Sequence, residues 1–376
     1  MNTFEKTKTP FWAAWFFYLL IGFEIIYMIT PFGLYYYSIY SQGLNFLNDH
    51  PGTAWLSSFF LPHLVRTSSS ILNISRDLGW VLALLGAAAF LLGAGQVYYH
   101  KFTRRGAVMG GIYKYIRHPQ YLALSVLGFG LLLAWPRVLV LILYVTMLFV
   151  YYFLARAEEA ECETKFGATY LEYKKKTGMF LPFRVKWSGG LRWLPRSGPA
   201  KTLAILAIYL LAVAAALGLA EAGKSYSLNR LYASYTGNSA TIALIEIEPE
   251  KLAQILKLAQ SDREVARRLG RTTAETKMIN YVLPAEWYES DLPLRIPEGL
   301  HGHHEPGNYN RHLFKILITR ANLAPGDVVQ GRDIIRHAVK RIPLAEVWVD
   351  LSRNVVTAVE DPPATVRWGD IPTPLF

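Results

Sequence analysis

The sequence predicts an all-α polytopic membrane domain of about five transmembrane helices, followed by a soluble α+β domain. The chain has 376 residues, of which 52% are hydrophobic, 14% aromatic and 18% charged. This composition is too apolar for an ordinary soluble protein and too charged for a chain that lies wholly in a membrane. Long apolar segments occur only before residue 221. After it come short strand-like segments at 241–247, 313–319 and 346–351 and helix-like segments at 249–259 and 332–342. The predicted boundary therefore separates a membrane domain, 1–220, from a soluble α+β domain, 221–376.

The charge distribution supports this division. Residues 221–376 contain 19 Lys+Arg and 19 Asp+Glu, so the formal net charge of +11 arises entirely within residues 1–220. A basic excess confined to the hydrophobic part is typical of membrane topology signals and argues against a nucleic-acid partner. The single cysteine, Cys162, excludes a disulfide framework.

Five segments are predicted to cross the bilayer because they are long, apolar and nearly free of charge: 11–29, 79–99, 122–135, 138–155 and 203–220. The first is too long and too aromatic for a cleaved signal peptide and is interpreted as a signal anchor. Its one charge, Glu24, is expected to face other helices or a polar pocket, or alternatively a substrate entrance. Residues 55–65 are too short to span and contain Pro62, which predicts an interfacial or re-entrant segment.

Loop charges predict the orientation. Loop 100–120 carries five basic residues and no acid, and segment 156–201 carries ten basic and five acidic residues. The positive-inside rule places both in the cytoplasm. With five spans, the N-terminus is then cytoplasmic and the C-terminal domain extracytoplasmic. A multi-pass protein of the plasma (inner) membrane is the expected localisation.

A first motif, "YIRHPQY", precedes the third predicted span. The residue before a proline is disfavoured in the α region, so His118 should lie in a turn and Pro119 should begin the helix. The free amides of that helix start, beside Arg117, form a site for an anionic group. The alternative interpretation is a basic membrane flank with a helix-starting proline.

A second motif, "RAEEAECETKFGATYLEYKKKTGMFLPF", spans residues 156–183. Glu158 and Glu159 lie where the fourth helix leaves the membrane, and Tyr170 and Tyr173 share one helix face. A solvated amphipathic helix is the alternative interpretation. It accounts for the lysine run but poorly for two acids at the membrane boundary.

Together the two motifs resemble the isoprenylcysteine carboxyl methyltransferase and phospholipid methyltransferase superfamily, whose integral membrane enzymes use S-adenosylmethionine. The resemblance covers about 80–187, the motif core. The matching residues are Gly111, Tyr113, Arg117, His118, Pro119 and Tyr121, then Glu158, Glu159, Phe166, Gly167, Tyr170, Tyr173, Leu181 and Pro182. Gly93 and Gly95 resemble an upstream glycine pair of the family, and close helix packing is the alternative interpretation.

The resemblance implies S-adenosylmethionine as the cofactor and methyl transfer at the cytoplasmic membrane boundary to a lipid-like or hydrophobic acceptor, on O, N or S. Implied catalytic residues are His118, Glu159 and Lys176. Implied cofactor-binding residues are Tyr113, Arg117, His118, Pro119, Tyr121, Glu158, Glu159, Tyr170, Gly93 and Gly95. Lys176 stands where the prenylcysteine enzymes have arginine, which predicts low activity on a farnesylcysteine analogue because an ammonium lacks the bidentate fork.

Two other functions remain open at this level. A membrane reductase of the sterol-reductase type, using a nicotinamide cofactor, has a related motif. A non-enzymatic anchor for an extracytoplasmic sensor or assembly domain is the second.

The methyl-transfer chemistry requires no metal, and the loop from His301 to His312 is interpreted as a surface loop, with a metal site as the alternative. Membrane lipids are the expected partners, and neither a protein partner of the C-terminal domain nor the oligomeric state is indicated.

Overall fold

A computed structural model shows a helical bundle joined to a six-stranded sheet. It describes residues 43–50, 52–103, 108–182, 198–270, 272–273, 275–289, 292–295, 303–323 and 328–363, with isolated positions between 19 and 36, Gly106 and Gly299. Within these residues, the helices that precede the sheet are α1 (Gly43–Asp49), α2 (Ser70–Phe102), α3 (Pro119–Ala134), α4 (Val138–Lys176) and α5 (Pro199–Leu228). Short 3-10 turns lie at Ala54–Ser57 and Gly111–Lys114.

Four of the predicted spans coincide with helices. In the described part of the chain, α2, α4 and α5 are long and apolar enough to cross a membrane, and α3 is a shorter apolar helix of 16 residues. At about 1.5 Å per residue, α3 is about 24 Å long. The predicted span 11–29, including Glu24, lies largely outside the described residues, so the count of five spans stays a prediction.

Helices α2 and α3 pack closely enough that only small side chains fit between them. A Cβ built on Gly130 would lie 2.4 Å from the backbone nitrogen of Ala83, and one on Gly86 would lie 2.4 Å from the backbone nitrogen of Leu127. Both distances are far shorter than van der Waals contact, so glycine is required at these positions. This spacing fixes α3 along α2, as small residues do in membrane helix pairs.

Helix α4 turns back from α3 at Pro136 and Arg137, as the sequence predicted. It then runs for 39 residues, far beyond the length needed to cross a bilayer. Gly167 interrupts its helical geometry with φ of 51° and ψ of −128°, so the last part of α4 leaves at a different angle. Helix α5 packs on α4, where the hydroxyls of Thr146 and Tyr209 are 2.9 Å apart.

The C-terminal domain is a mixed sheet with helices. Its elements are β1 (Ala233–Tyr235), β2 (Ser239–Ala243), α6 (Pro249–Ser261), α7 (Arg263–Leu269), β3 (Met278–Pro284), β4 (Leu313–Leu323), α8 (Asp333–His337), β5 (Ala338–Asp350) and β6 (Val355–Glu360). The strands follow chain order across the sheet. Strands β2 and β3 are parallel, connected through α6 and α7, and all other neighbours are antiparallel.

One predicted element of this domain was wrong. Residues 332–342 were expected to form a helix, but the helix ends at His337 and residues from Ala338 onward pair with β4. Ladder hydrogen bonds to an existing buried strand stabilise this segment more than its local helical pattern does. The strand-like segments 313–319 and 346–351 and the helix-like segment 249–259 were predicted correctly, whereas only the first part of the strand-like segment 241–247 is strand, because β2 ends at Ala243.

The sheet domain lies at the end of the bundle opposite the Arg-His-Pro motif. The segment 64–69 before α2 contributes Leu64 and Val65 to the core of the sheet domain. The backbone N–H of Arg66 donates to Leu244 at 2.8 Å, and that of Ser68 donates to Arg230 at 2.8 Å. Because the motif precedes the start of α3 and this segment lies near its end, the length of α3 separates them.

The close contact between α2 and α3 predicts that Gly130→Ala destabilises the protein. The added methyl group meets backbone atoms, which cannot move away as a flexible side chain would. We expect a loss of about 1–3 kcal/mol, the usual cost of overpacking. The measurement is the heat-denaturation midpoint of the purified protein in detergent. Gly218→Ala in α5 is the matched control, because its Cβ meets no atom within 4 Å; an equal effect of both changes would contradict the packing argument.

The separation of the sheet domain from the motif predicts that the two lie on opposite sides of the membrane. Single cysteines at Glu172 and Asn308, both exposed, can be placed in a Cys162→Ser background. We expect a membrane-impermeant maleimide to label Asn308→Cys but not Glu172→Cys in intact cells, and to label both after permeabilisation. Protection of both positions in intact cells would contradict the predicted topology.

Candidate active site

The two sequence motifs meet at one end of the helical bundle. His118 has φ of −125° and ψ of 62°, outside the helical region, and α3 begins at Pro119. The proline therefore imposes the geometry that the sequence predicted. The last part of α4 and the residues after it close over this helix start.

The chain after α4 returns alongside the first motif. The backbone N–H of Arg117 donates to Gly178 at 3.0 Å, and that of His118 donates to Met179 at 3.1 Å. Ile116 and Gly178 form a parallel bridge. These bonds hold the turn before α3 against the end of the second motif, so the two motifs form one structural unit.

Glu159 is the centre of this unit. Its side chain is only 1% exposed, and its Oε1 lies 2.6 Å from Nε of Arg117. Its Oε2 lies 2.8 Å from Nζ of Lys174. Arg117 also donates through one terminal nitrogen to the backbone oxygens of Lys174 and Thr177. A buried carboxylate is tolerated because each oxygen has a cationic partner.

His118 lies between the two glutamates and is 4% exposed. Its Nδ1 is 3.4 Å from Oε2 of Glu158, and its Nε2 is 3.6 Å from Oε1 of Glu159. Burial disfavours the charged imidazole, but the two neighbouring carboxylates outweigh this effect and raise the pKa of His118. The structure therefore favours a protonated imidazole over a neutral base.

Glu158 differs from Glu159 because 41% of its side chain is exposed. The buried hydroxyl of Tyr121 donates to its Oε1, which orients the carboxylate without covering it. The Tyr121 ring stacks on Tyr151, with centroids 4.9 Å apart, and on His118 at 5.8 Å. Glu158 is thus the accessible acidic group of the site, and Tyr121 is fixed from both sides.

The glycine pair of α2 has two distinct environments. A Cβ on Gly93 would approach Ile112 at 3.4 Å, and the hydroxyl of Tyr113 lies 3.2 Å from the oxygen of Gly93. This hydroxyl also donates to Gln120 at 2.9 Å. Gly93 is therefore a packing position beside the first motif. Gly95 has open space around its Cα.

Gly95 faces a cavity of about 450 Å³ beside the last turns of α2. The lining residues are Leu91, Leu92, Gly95, Gln96, Tyr99, His100, Val108, Gly110 and Gly111. Leu91 and Leu92 are exposed on the outer surface of α2, so the cavity combines an apolar, membrane-facing side with glycine backbone. It is of ordinary size for a small-molecule site.

The remaining predicted residues lie in the second motif. Tyr170 is 5% exposed, and its ring contacts Tyr173 with centroids 5.7 Å apart. The hydroxyl of Tyr173 donates to the backbone oxygen of Tyr113 at 2.6 Å, which ties the two motifs together again. Lys176 is exposed to solvent, and Lys174 is the lysine that reaches Glu159.

Sequence reasoning did not identify Lys174, Thr177 or Gln120. Lys174 belongs to a run of three lysines, and only the helix phase, seen after the break at Gly167, selects it. Gln120 and Thr177 contact Tyr113 and Arg117, respectively, and carry no sequence signal beyond their closeness to the motifs. The role of each predicted site residue stays a prediction.

Comparisons with known proteins agree with the motif geometry. Residues 78–169 match the family model for phospholipid methyltransferase. The chain is 32% identical over 139 residues to the protein-S-isoprenylcysteine O-methyltransferase of Saccharomyces cerevisiae, a match that covers 34% of this chain and 58% of the yeast protein. The chain thus matches little more than half the length of this curated relative. No solved structure matches. The family model matches residues 78–169, and both matches support the superfamily that the two motifs resemble.

Proposed function

We propose that this protein catalyses S-adenosylmethionine-dependent methyl transfer at the cytoplasmic membrane boundary to a lipid-like, hydrophobic acceptor. The observation that carries the proposal is the Arg117–Glu159–Lys174 ion cluster. It joins the two superfamily motifs and places the accessible carboxylate of Glu158 beside the start of α3. The superfamily membership and the relative's O-methyltransferase name support the same reaction class.

The residues of the site fit the cofactor. When bound, S-adenosylmethionine supplies an electrophilic methyl group on a sulfonium. Glu158 can accept hydrogen bonds from its ammonium or ribose hydroxyls, and the positive end of α3 attracts its carboxylate. The open backbone at Gly95 and Gly110 leaves room for close approach to a ligand. The ring of Tyr121 is buried between Tyr151 and His118, so its proposed role is to orient Glu158 through its hydroxyl.

The site provides poor general bases. Glu159 has both oxygens in ion pairs with Arg117 and Lys174, and the neighbouring carboxylates favour the protonated form of His118. An acceptor that must lose a proton therefore has few groups to take it. This favours an acceptor whose nucleophile arrives deprotonated, such as a carboxylate, and hence O-methylation; Lys176 argues against a prenylcysteine as that carboxylate.

The acceptor is proposed to enter from the bilayer. Leu91 and Leu92 lie on the exposed surface of α2 and also line the cavity. A hydrophobic tail can therefore remain in the lipid phase while its polar end reaches the membrane boundary. The cytoplasmic side of the plasma membrane is the proposed location of this end of the bundle, on the basis of the loop charges.

The accessible position of Glu158 predicts that Glu158→Gln weakens S-adenosylhomocysteine binding by about 1.5–3 kcal/mol, the scale of a hydrogen bond to a charged group. The measurement is calorimetric titration of the purified protein. Glu161→Gln is the matched control, because Glu161 is an exposed acid on the same helix that pairs only with Lys165 among the described residues. Equal affinity of the wild type and the Glu158 variant would contradict the cofactor placement.

Because Glu159 and His118 are poor bases and Glu158 is assigned to the cofactor, we expect alkali-labile methylation. Membranes with and without the protein are incubated with methyl-tritiated S-adenosylmethionine, and extracted lipids and proteins are treated with alkali. We expect the label to leave as volatile methanol, because alkali hydrolyses methyl esters but not N-methyl or thioether groups. Alkali-stable label would exclude a carboxylate acceptor but not methyl transfer itself. No label above the control membranes with any extract would contradict the proposed function.

A further inference from the structure

A second cavity lies at the opposite end of the bundle, where the sheet domain meets the membrane helices. It has a volume of about 390 Å³, and its lining residues are His63, Leu64, Arg76, Asp77, Trp80, Ala134, Trp135, His303 and Glu305. They come from the segment before α2, the start of α2, the end of α3 and the loop between β3 and β4. The methyl-transfer motifs play no part in this cavity, because the length of α3 lies between them.

The sheet-domain side of this cavity carries Glu305, and the buried acid Glu289 lies behind the lining residue His303. Glu289 is fully buried, and its Oε2 lies 2.5 Å from Nδ1 of His303. Its Oε1 is buried and receives no hydrogen bond within the described part of the chain. Burial, together with the nearby carboxyl of Glu305, raises the pKa of Glu289 to about 7 against the opposing effect of His303. Two carboxyl groups placed together require a proton or a cation between them.

The membrane side adds aromatic and acidic groups. The indoles of Trp80 and Trp135 meet edge to face, with centroids 4.9 Å apart. Asp77, one turn before Trp80, has a side chain that is 69% exposed. Indole faces beside carboxylates are the usual surroundings of a bound ammonium group. Tryptophan at this depth is also typical of a membrane interface.

Arg76 adds one cationic group. Its terminal nitrogen donates to the backbone oxygen of His63 at 3.3 Å, and its Nε lies 4.0 Å from Asp77, which is a loose ion pair. Its side chain is 29% exposed. A guanidinium in this position can bind a phosphate. The cavity therefore offers acceptors for a cation and a donor for an anion within one space.

We propose that this cavity binds the headgroup of a zwitterionic phospholipid that carries a primary ammonium. The ammonium would lie among Glu305, Asp77 and the two indoles, and the phosphate would lie at Arg76. A primary ammonium fits better than a quaternary one because its three N–H donors match the carboxylates. A metal ion fits less well, since the described residues contain no group of three or more His, Cys, Asp or Glu that could hold one; His301 lies outside them.

Headgroup binding gives the sheet domain a role at the membrane surface. A lipid bound between Trp135 and Glu305 would contact both the helical bundle and the sheet domain. This inference concerns the opposite end of the bundle and is independent of the proposed methyl transfer. Its test uses no methyl donor, so either proposal can fail alone.

The test is native mass spectrometry of the purified full-length chain in detergent. Dihexanoyl phosphatidylethanolamine is compared with dihexanoyl phosphatidylglycerol, which has the same tails and no ammonium. We expect one ethanolamine lipid to bind at least about tenfold more tightly, the effect of one or more charge-assisted contacts. Equal binding of the two lipids would overturn the proposal. Competition by free ethanolamine at the same concentration would overturn the phospholipid assignment, and displacement of the lipid by equimolar calcium would overturn the ammonium assignment.

Variants locate the bound lipid. Glu305→Gln and Asp77→Asn are each expected to weaken ethanolamine lipid binding about tenfold. Asp77 is largely exposed, so its replacement leaves the fold intact even if the Glu305 variant is unstable. Glu250→Gln, an exposed acid on α6, is the matched control and should bind like the wild type. Unchanged binding in the Asp77 variant, with one lipid still bound, would place the lipid elsewhere and overturn the assignment.

Discussion

The buried carboxylate of Glu159 is the constraint on which the methyltransferase segment depends. A charged group with 1% exposure is stable only if cations reach it, and these come from Arg117 before α3 and Lys174 near the end of α4. Removing one partner of a buried pair typically costs about 3–5 kcal/mol, because the remaining charge is left uncompensated. The ion cluster therefore determines where the turn before α3 and the last part of α4 lie, and with them Glu158, His118 and Tyr121.

Unequal helix lengths create a step beside this cluster, at the start of α3. Helix α3 has 16 residues, whereas α2 has 33 and α4 has 39. Glycine contacts at Gly130 and Gly86 hold α3 against the middle of α2, so the longer helices extend past its start. The resulting step is wide enough for polar residues and a cavity, yet it adjoins exposed leucines. Such a step suits an enzyme whose two substrates come from different phases.

Much of the fold could be predicted from the sequence, because apolar length and proline position are local signals. Four spans, the turn at Pro136 and the helix start at Pro119 follow from such signals. The extent of α8 could not be predicted, because residues 338–342 become strand only through pairing with β4. Within the site, the two motifs indicated Arg117 and Glu159. The choice of Lys174 among three adjacent lysines depends on the helix break at Gly167, which is a tertiary property. Likewise, no sequence pattern indicates that His63 and His303 line the same cavity, because they belong to different domains.

The docking of segment 64–69 into the sheet domain has a consequence for biosynthesis. Leu64 and Val65 are part of the sheet-domain core, yet they are translated well before Leu244, which follows β2 and accepts the hydrogen bond from Arg66. During synthesis this short apolar segment lacks its partners until the four helices α2 to α5 have been made. A fragment beginning at residue 221 would lack these two core side chains and the backbone hydrogen bonds from Arg66 and Ser68. Residues that precede the membrane helices thus complete the core of the domain that follows those helices.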